Sequence, residues 1–290
     1  MSKTFFSYFI IALLTTSFYL ESKELKKTPT KICIVVPAYN EENRIQSMLG
    51  AYLPYFETLQ QELETDFLIV ANACSDQTVP ICKKIQKKHA NIDIMDLKQG
   101  GKGFAIKQGF LHALEKPYDY IGFVDADLAT LPQYYHNLIK ELPGCDGVIA
   151  SRYAPGATVW PKRPTIIKFG GKFYNWMLRK QLKIPFKDTQ CGAKIFSYDT
   201  VKKVAPDMTE QKWAWDLEFL YLAQLEDKHI KEIPTTWSDQ PGSHLTVSSS
   251  LAKEFLKSPG RIKTRHKQKA LIKKQEKAAA KKQQKKVSKT

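Results

Sequence analysis

Short apolar runs alternate with stretches of helical period through the first half of the chain. Residues 32–36, 67–71, 92–95 and 120–124 read as strands. Helices are predicted over 41–56, after the second strand through 87, and from the glycine-rich loop 99–103 through 114. Strands built of continuous Val, Ile and Phe, separated by helices, indicate a mostly parallel central sheet flanked by helices. In such α/β sheets ligands bind beyond the carboxyl ends of the strands. The second half is more mixed. It offers a helix over 165–180 carrying Ile166, Phe169, Phe173 and Met177, another over 214–226, and a last strand over 230–233. There is no internal repeat.

Composition adds a core and a tail to this picture. The 290 residues are 43% hydrophobic with 15 Phe, enough for a large packed domain and too apolar for a disordered chain. The net charge of +16 is misleading until it is located. Residues 261–290 hold 13 Lys and Arg against one acid, Glu276, while the other 260 residues carry 32 basic and 28 acidic side chains. The folded body is nearly neutral, so no nucleic-acid partner is expected. Five cysteines form no CxxC pair, which favours buried reduced thiols over a zinc site. The chain divides into 1–30, an N-terminal segment with linker; 31–257, the main folded domain; and 258–290, a lysine-rich tail, flexible or helical.

Residues 5–20, FFSYFIIALLTTSFYL, form a 16-residue run without charge. As a helix it spans about 24 Å, short of the roughly 30 Å of a bilayer core unless its flanks contribute. A retained anchor and a cleaved signal peptide both fit. The absence of a clean small-x-small site before Glu21 favours the anchor. The expectation is a membrane-associated protein with a single-pass N-terminal anchor and its main domain on the cytoplasmic side.

The chemistry gathers where strands end. "FVDADLAT", 123–130, places Asp125 and Asp127 two residues apart at the end of a strand, on one side of an extended chain. Two converging carboxylates repel, and a hard divalent cation relieves that repulsion while bridging to substrate phosphates. Helix capping by Asp127 is the plainer alternative. "VVPAYNEE", 35–42, ends the first strand, with Asn40 placed as a helix cap. "NACSDQT", 72–78, ends the second. "KQGGKGFAIKQG", 98–109, sets Lys102 among glycines, whose amides are able to approach a phosphate.

The order PAYNEE, S-D-x-T, GGKG, DAD resembles glycosyltransferase family 2, whose members use nucleotide sugars. "SRYAPGA", "DTQCGAKIF" (188–196), "WAWDLEFLYLAQ" (213–224) and "GSHL" (242–245) are similar to the branch that glycosylates polyprenyl phosphates. Within that branch DADLAT and DTQCG resemble dolichyl-phosphate β-glucosyltransferases, with mannose-transferring relatives next. The resemblance covers about residues 31–247. It departs at Ala71-Asn72-Ala73-Cys74, where the family has two acids before Gly-Ser, and at His244, where the glucosyltransferases carry lysine.

The resemblance implies a GT-A-type fold and inverting, metal-dependent transfer of a hexose, glucose from UDP-glucose, to a polyprenyl or dolichyl phosphate. The alternatives are GDP-mannose as donor, or a catalytically silent nucleotide-sugar-binding fold. Mg2+ or Mn2+ would sit on Asp125 and Asp127, with Asp125 also reaching the ribose. Pro37, Tyr39, Glu41, Asn72, Asp76 and Lys102 would line the nucleotide-sugar pocket. Arg152 would hold the acceptor phosphate, since a guanidinium grips phosphate by two bonds; an ion pair is the alternative. Asp216 would act as a sugar-hydroxyl ligand or residual base, with Glu218 as a structural partner. Basic residues around the aromatics of 165–180, Lys162, Arg163, Lys168, Lys172, Arg179 and Lys180, suit a membrane lipid surface, although the stripe reads equally well as core.

Overall fold

The computed structural model describes residues 28–161, 165–240 and 249–287. Nine strands and nine helices are described: β1 (Thr30–Ala38), α1 (Ile45–Glu57), β2 (Leu63–Asn72), α2 (Thr78–Gln86), β3 (Ile92–Leu97), α3 (Lys102–Ala113), β4 (Tyr120–Val124), α4 (Pro132–Lys140), β5 (Gly147–Ser151), β6 (Thr158–Trp160), α5 (Thr165–Leu182), β7 (Ala193–Ser197), α6 (Tyr198–Val204), α7 (Trp215–Leu225), β8 (Ile230–Pro234), β9 (Thr236–Ser238), α8 (Ser249–Arg265) and α9 (Lys267–Val287). Seven strands form one sheet in the order β3-β2-β1-β4-β7-β5-β8, and β6 pairs with β9 separately. Within the large sheet only β7 is reversed, running antiparallel to both β4 and β5.

The period of two sorts β1 between two cores. Ile32, Ile34 and Val36 face Met48, Tyr52 and Phe56 of α1 and Tyr135 and Leu138 of α4. Cys33 and Val35 face Ile106 and Phe110 of α3 and Leu220 of α7. Both faces are covered, which is why these strands read as unbroken apolar runs. Helix α7 is buried from Trp215 to Ala223, so its apolar residues are not confined to one stripe, and Asp216 and Glu218 are buried among them.

Three local expectations change. Helix α1 starts at Ile45 rather than 41, with Arg44 and not Asn40 at its N-cap, and Asn40 adopts a left-handed backbone, φ 52°. Its side-chain oxygen instead accepts from Ser75 N at 2.9 Å. The boundary at 257/258 falls inside α8, which runs through Pro259 and buries Ser258 and Ile262. The 165–180 stripe divides. Leu178 is buried, while Phe173 and Trp176 are 60% and 44% exposed and stack on each other at 5.7 Å. Lys162 and Arg163 lie outside the described residues, as do the side chains of Ile166, Lys168, Phe169 and Lys172.

All five cysteines are free thiols, with Cys33, Cys82 and Cys191 buried. Burial pushes the thiols of Cys33, Cys82 and Cys191 up to about 12, so they stay protonated and inert.

Candidate active site

A cleft of about 600 Å³ opens at the carboxyl ends of β1, β2, β4 and β5. Pro37, Tyr39 and Glu41 line it from the end of β1, Asn72 from β2, and Lys102 from the start of α3. Asp125 and Asp127 enter from the end of β4, Arg152 from beyond β5, and Asp216 from the first turn of α7. Asp76, expected among them, does not line the cleft. Its two oxygens accept from Glu42 N and Thr78 N, both at 3.0 Å, and brace the loop instead.

The reversal of β7 is what brings the 188–192 loop to this edge. A strand running the other way begins where its neighbours end. Val124 pairs with Ala193, and Asp125 N donates to Gly192 O at 3.0 Å. A side chain at Gly192 would overlap the Asp125 carboxylate, so glycine is required there. Asp188, fully buried, accepts from Arg152 at Nε, Nη2 and the backbone amide at 2.8–2.9 Å. The guanidinium also lies 5.1 Å from the ring of Trp237. Arg152 is thus in an ion pair, and that pair fixes its head at the cleft wall.

Lys102 Nζ meets Asp125 Oδ1 at 2.5 Å and sits 5.7 Å from the ring of Trp213. Its burial opposes the charge, but Asp125 outweighs this and raises its pKa. Asp127 Oδ1 accepts from Ala129 N at 3.0 Å. Burial, and then the charge of Asp125, raise the Asp127 pKa above the usual carboxylate range. Asp216 is 6% exposed, and burial pushes it up to about 6 against the pull of Lys194 and Lys102. Its Oδ2 lies 3.8 Å from the ammonium of Lys194. Lys194 is itself buried, donates to Cys191 O at 2.7 Å, and has its pKa lowered chiefly by that burial.

The glycine loop is not an open amide cradle. Gly103 N and Phe104 N donate to Lys212 O and Gln211 O at 3.0 Å, and Gly101 N donates to Asn72 Oδ1 at 3.0 Å. The glycines make room for the 210–212 backbone: a Cβ on Gly101 would stand 2.5 Å from Gln211 O. Asn72 is engaged at both ends of its amide, since Nδ2 donates to Ala38 O at 2.8 Å. At the altered 71–74 position the side chain therefore ties three loops together.

Among the described residues no group of three or more His, Cys, Asp or Glu converges as a metal cage. Two carboxylates beside each other, with Asp127 destabilised as an anion, fit a hard cation that draws its remaining ligands from phosphate and water.

Residues 33–204 match the family model described as Glycosyl transferase family 2. The chain belongs to this family, and it is a glycosyltransferase. It is 32% identical over 241 residues to a dolichyl-phosphate β-glucosyltransferase of Drosophila melanogaster, covering 77% of this chain and 72% of that one. A dolichyl-phosphate β-glucosyltransferase of Trichomonas vaginalis is 29% identical, covering 75% of this chain and 66% of its own length. The glucosyl-3-phosphoglycerate synthase of Mycobacterium tuberculosis, solved with Mn2+, UDP-glucose and glycerol 3-phosphate, shares the fold with a TM-score of 0.58. It has 15% identity and covers 83% of this chain and 82% of its own. The fold is of the GT-A type.

For this glycosyltransferase the expected single-pass anchor is corrected. No helix among the described residues is long and apolar enough to cross a membrane. Residues 5–20 and His244 lie outside the described residues. Sequence reasoning missed Asp188, Lys194, Lys212 and Trp213 as parts of the site. The motif DTQCG held the signal for the first, since a buried aspartate facing the arginine of S-R-Y needs that partner.

Proposed function

We propose that this glycosyltransferase moves glucose from UDP-glucose to a polyprenyl phosphate of the dolichyl type, with inversion, to give a lipid-linked β-phosphate sugar. The observation that carries the reading is the convergence of Lys102, Asp125, Asp127, Arg152 and Asp216 on one cleft. Both substrates bring anions, and the cleft is lined by two fixed cations, Lys102 and Arg152, each held by a carboxylate. The dolichyl-phosphate β-glucosyltransferase relatives support the acceptor class and the sugar.

In the reaction an acceptor phosphate oxygen bonds to the anomeric carbon while the bond from that carbon to the donor diphosphate breaks. A phosphate monoester has a second pKa of about 6 and is largely ionised at neutral pH, so it hardly needs a base. Arg152, locked by Asp188, orients that phosphate. Lys102 faces the departing diphosphate. Pro37, Tyr39 and Glu41 flank the nucleoside. Asp216, ionised above about pH 6, accepts from a sugar hydroxyl. Asp125 and Asp127 would hold Mg2+ or Mn2+, which neutralises the leaving diphosphate when bound. Exposed Phe173 and Trp176, with Lys180 Nζ 4.6 Å from the Trp176 ring, suit an anionic lipid surface from which the acceptor is drawn.

The test is transfer of radiolabelled sugar from UDP-glucose, with GDP-mannose in parallel, to a polyprenyl phosphate in detergent, with Mn2+ or Mg2+ and with chelator. Lipid-linked glucose that disappears with chelator is the expected result. Transfer from GDP-mannose alone would overturn the donor, and transfer from neither would overturn the reading.

A further inference from the structure

Three basic side chains beyond residue 260, outside the family-matched segment, converge on two buried glutamates behind the cleft. Arg261 of α8 donates to Glu210 twice, from Nε at 2.7 Å and Nη2 at 2.6 Å, and Arg265 Nη1 adds a third bond at 2.9 Å. Arg265 Nη1 also donates to Thr209 Oγ1 at 3.1 Å. His266 Nε2 lies 2.8 Å from Glu218 Oε1. Glu218, wholly buried on α7, accepts in turn from Thr209 N and Glu210 N at 2.7 Å and from Thr209 Oγ1 at 2.6 Å.

The gripped segment leads straight to the cleft. Gln211 O and Lys212 O receive the first amides of α3, at Phe104 and Gly103. Those bonds hold the turn from which Lys102 reaches Asp125. Lys212 and Trp213, next along the chain, line the cleft themselves. The links to α9 differ in kind. Lys269 reaches Asp207 and Glu226, Lys273 reaches Glu226, and Lys277 reaches Asp227, all at partly exposed sites. Such surface pairs attach a helix and contribute little else. The α8 arginines instead engage a carboxylate that is 5% exposed, where a charge left without partners is strongly destabilising.

We propose that Arg261, Arg265 and His266 are positioning residues of the nucleotide-sugar site: through Glu210 and Glu218 they hold the 209–213 segment in the register that presents Lys102 and Trp213 to the donor. The end of α8 with the adjoining His266, residues 261–266, is on this account a working part of the catalytic domain. The inference rests on the reading of the cleft given under Proposed function.

The experiment is amide hydrogen exchange on the full chain, comparing wild type with Arg261→Ala/Arg265→Ala. Peptides covering 99–106 and 209–215 should exchange at least about tenfold faster, with β1 unchanged, since local opening is read segment by segment. Arg261→Lys should restore part of the protection. In turnover the donor KM should rise about tenfold while the acceptor KM stays within about twofold. Faster exchange confined to 249–287 would overturn the proposal. If β1 also loosens in the double variant, Arg265→Ala alone is read in the same way. Loosening of β1 in both would likewise overturn it, because the arginines would then serve the whole fold. The exchange result needs no turnover, so a wild type inactive with UDP-glucose would sink the functional reading and leave the clamp separately decided.

Discussion

Gly192 faces the carboxylate of Asp125 with no room for a side chain between them. The two residues are also joined by the bond from Asp125 N to Gly192 O, at the seam between β4 and the reversed β7. Gly192→Ala should therefore push the Asp125 carboxylate away from Lys102. Misplacing a reacting group by about an ångström costs on the order of a hundredfold in rate. Sugar transfer should fall by about that factor, with far-ultraviolet circular dichroism unchanged. Wild-type turnover in this variant would show that the Asp125 position is not critical.

Much of the first half of this fold is legible in the sequence because its strands are buried on both faces and read as unbroken apolar runs. The reversed strand β7, AKIFS, is not, because Lys194 interrupts its apolar pattern and reads as a surface residue. In the structure its ammonium is sealed under Phe123 and Trp215. Helix α4 is missed for another reason: at nine residues it spans little more than two turns, too few to establish a period. The carboxyl-edge cleft follows from strand order alone, so Asp125, Asp127 and Lys102 are found easily. Asp188 on Arg152 and Arg261 on Glu210 join positions 36 and 51 residues apart, and no local periodicity reports such pairs.

Asp127 separates a metal role from a structural one. Asn keeps an oxygen for Ala129 N but removes the negative charge that burial and Asp125 disfavour. Asp127→Asn should melt at the same temperature as wild type or slightly above. Its Mn2+-stimulated transfer should fall by about two to three orders of magnitude, the scale of losing one electrostatic contact to a developing charge. A wild-type Mn2+ titration curve in the variant would remove Asp127 from the metal site.

Arg152 requires a conservative variant. Arg152→Ala would leave Asp188 buried and unpaired, a change that typically destabilises by about 3–5 kcal/mol and would confuse folding with binding. Arg152→Lys keeps the charge and loses the planar fork. It should fold with a melting temperature within a few degrees of wild type and raise the acceptor KM about tenfold, leaving the donor KM unchanged. A rise in donor KM alone would move Arg152 from the acceptor to the nucleotide.

Asp216 makes a prediction about pH whose sign follows from its environment. Burial lifts its folded pKa to about 6, while an unfolded aspartate titrates near 3.9. Lys194 and Lys102 face it from β7 and α3 and pull the other way, as does the amide of Leu217 on its own helix, while Asp188 adds to the rise. Between about pH 4 and 6 the folded state therefore binds the proton that the unfolded state has lost. The contribution of this carboxyl to stability is complete below about pH 4 and is lost as pH rises through 6. Two units correspond to roughly 3 kcal/mol. Asp216→Asn does not titrate, so its stability relative to wild type should climb by about that amount from pH 4 to pH 7 in urea unfolding. A difference that stays flat over this range would mean that Asp216 is ionised throughout, and that Lys194 fully offsets the burial.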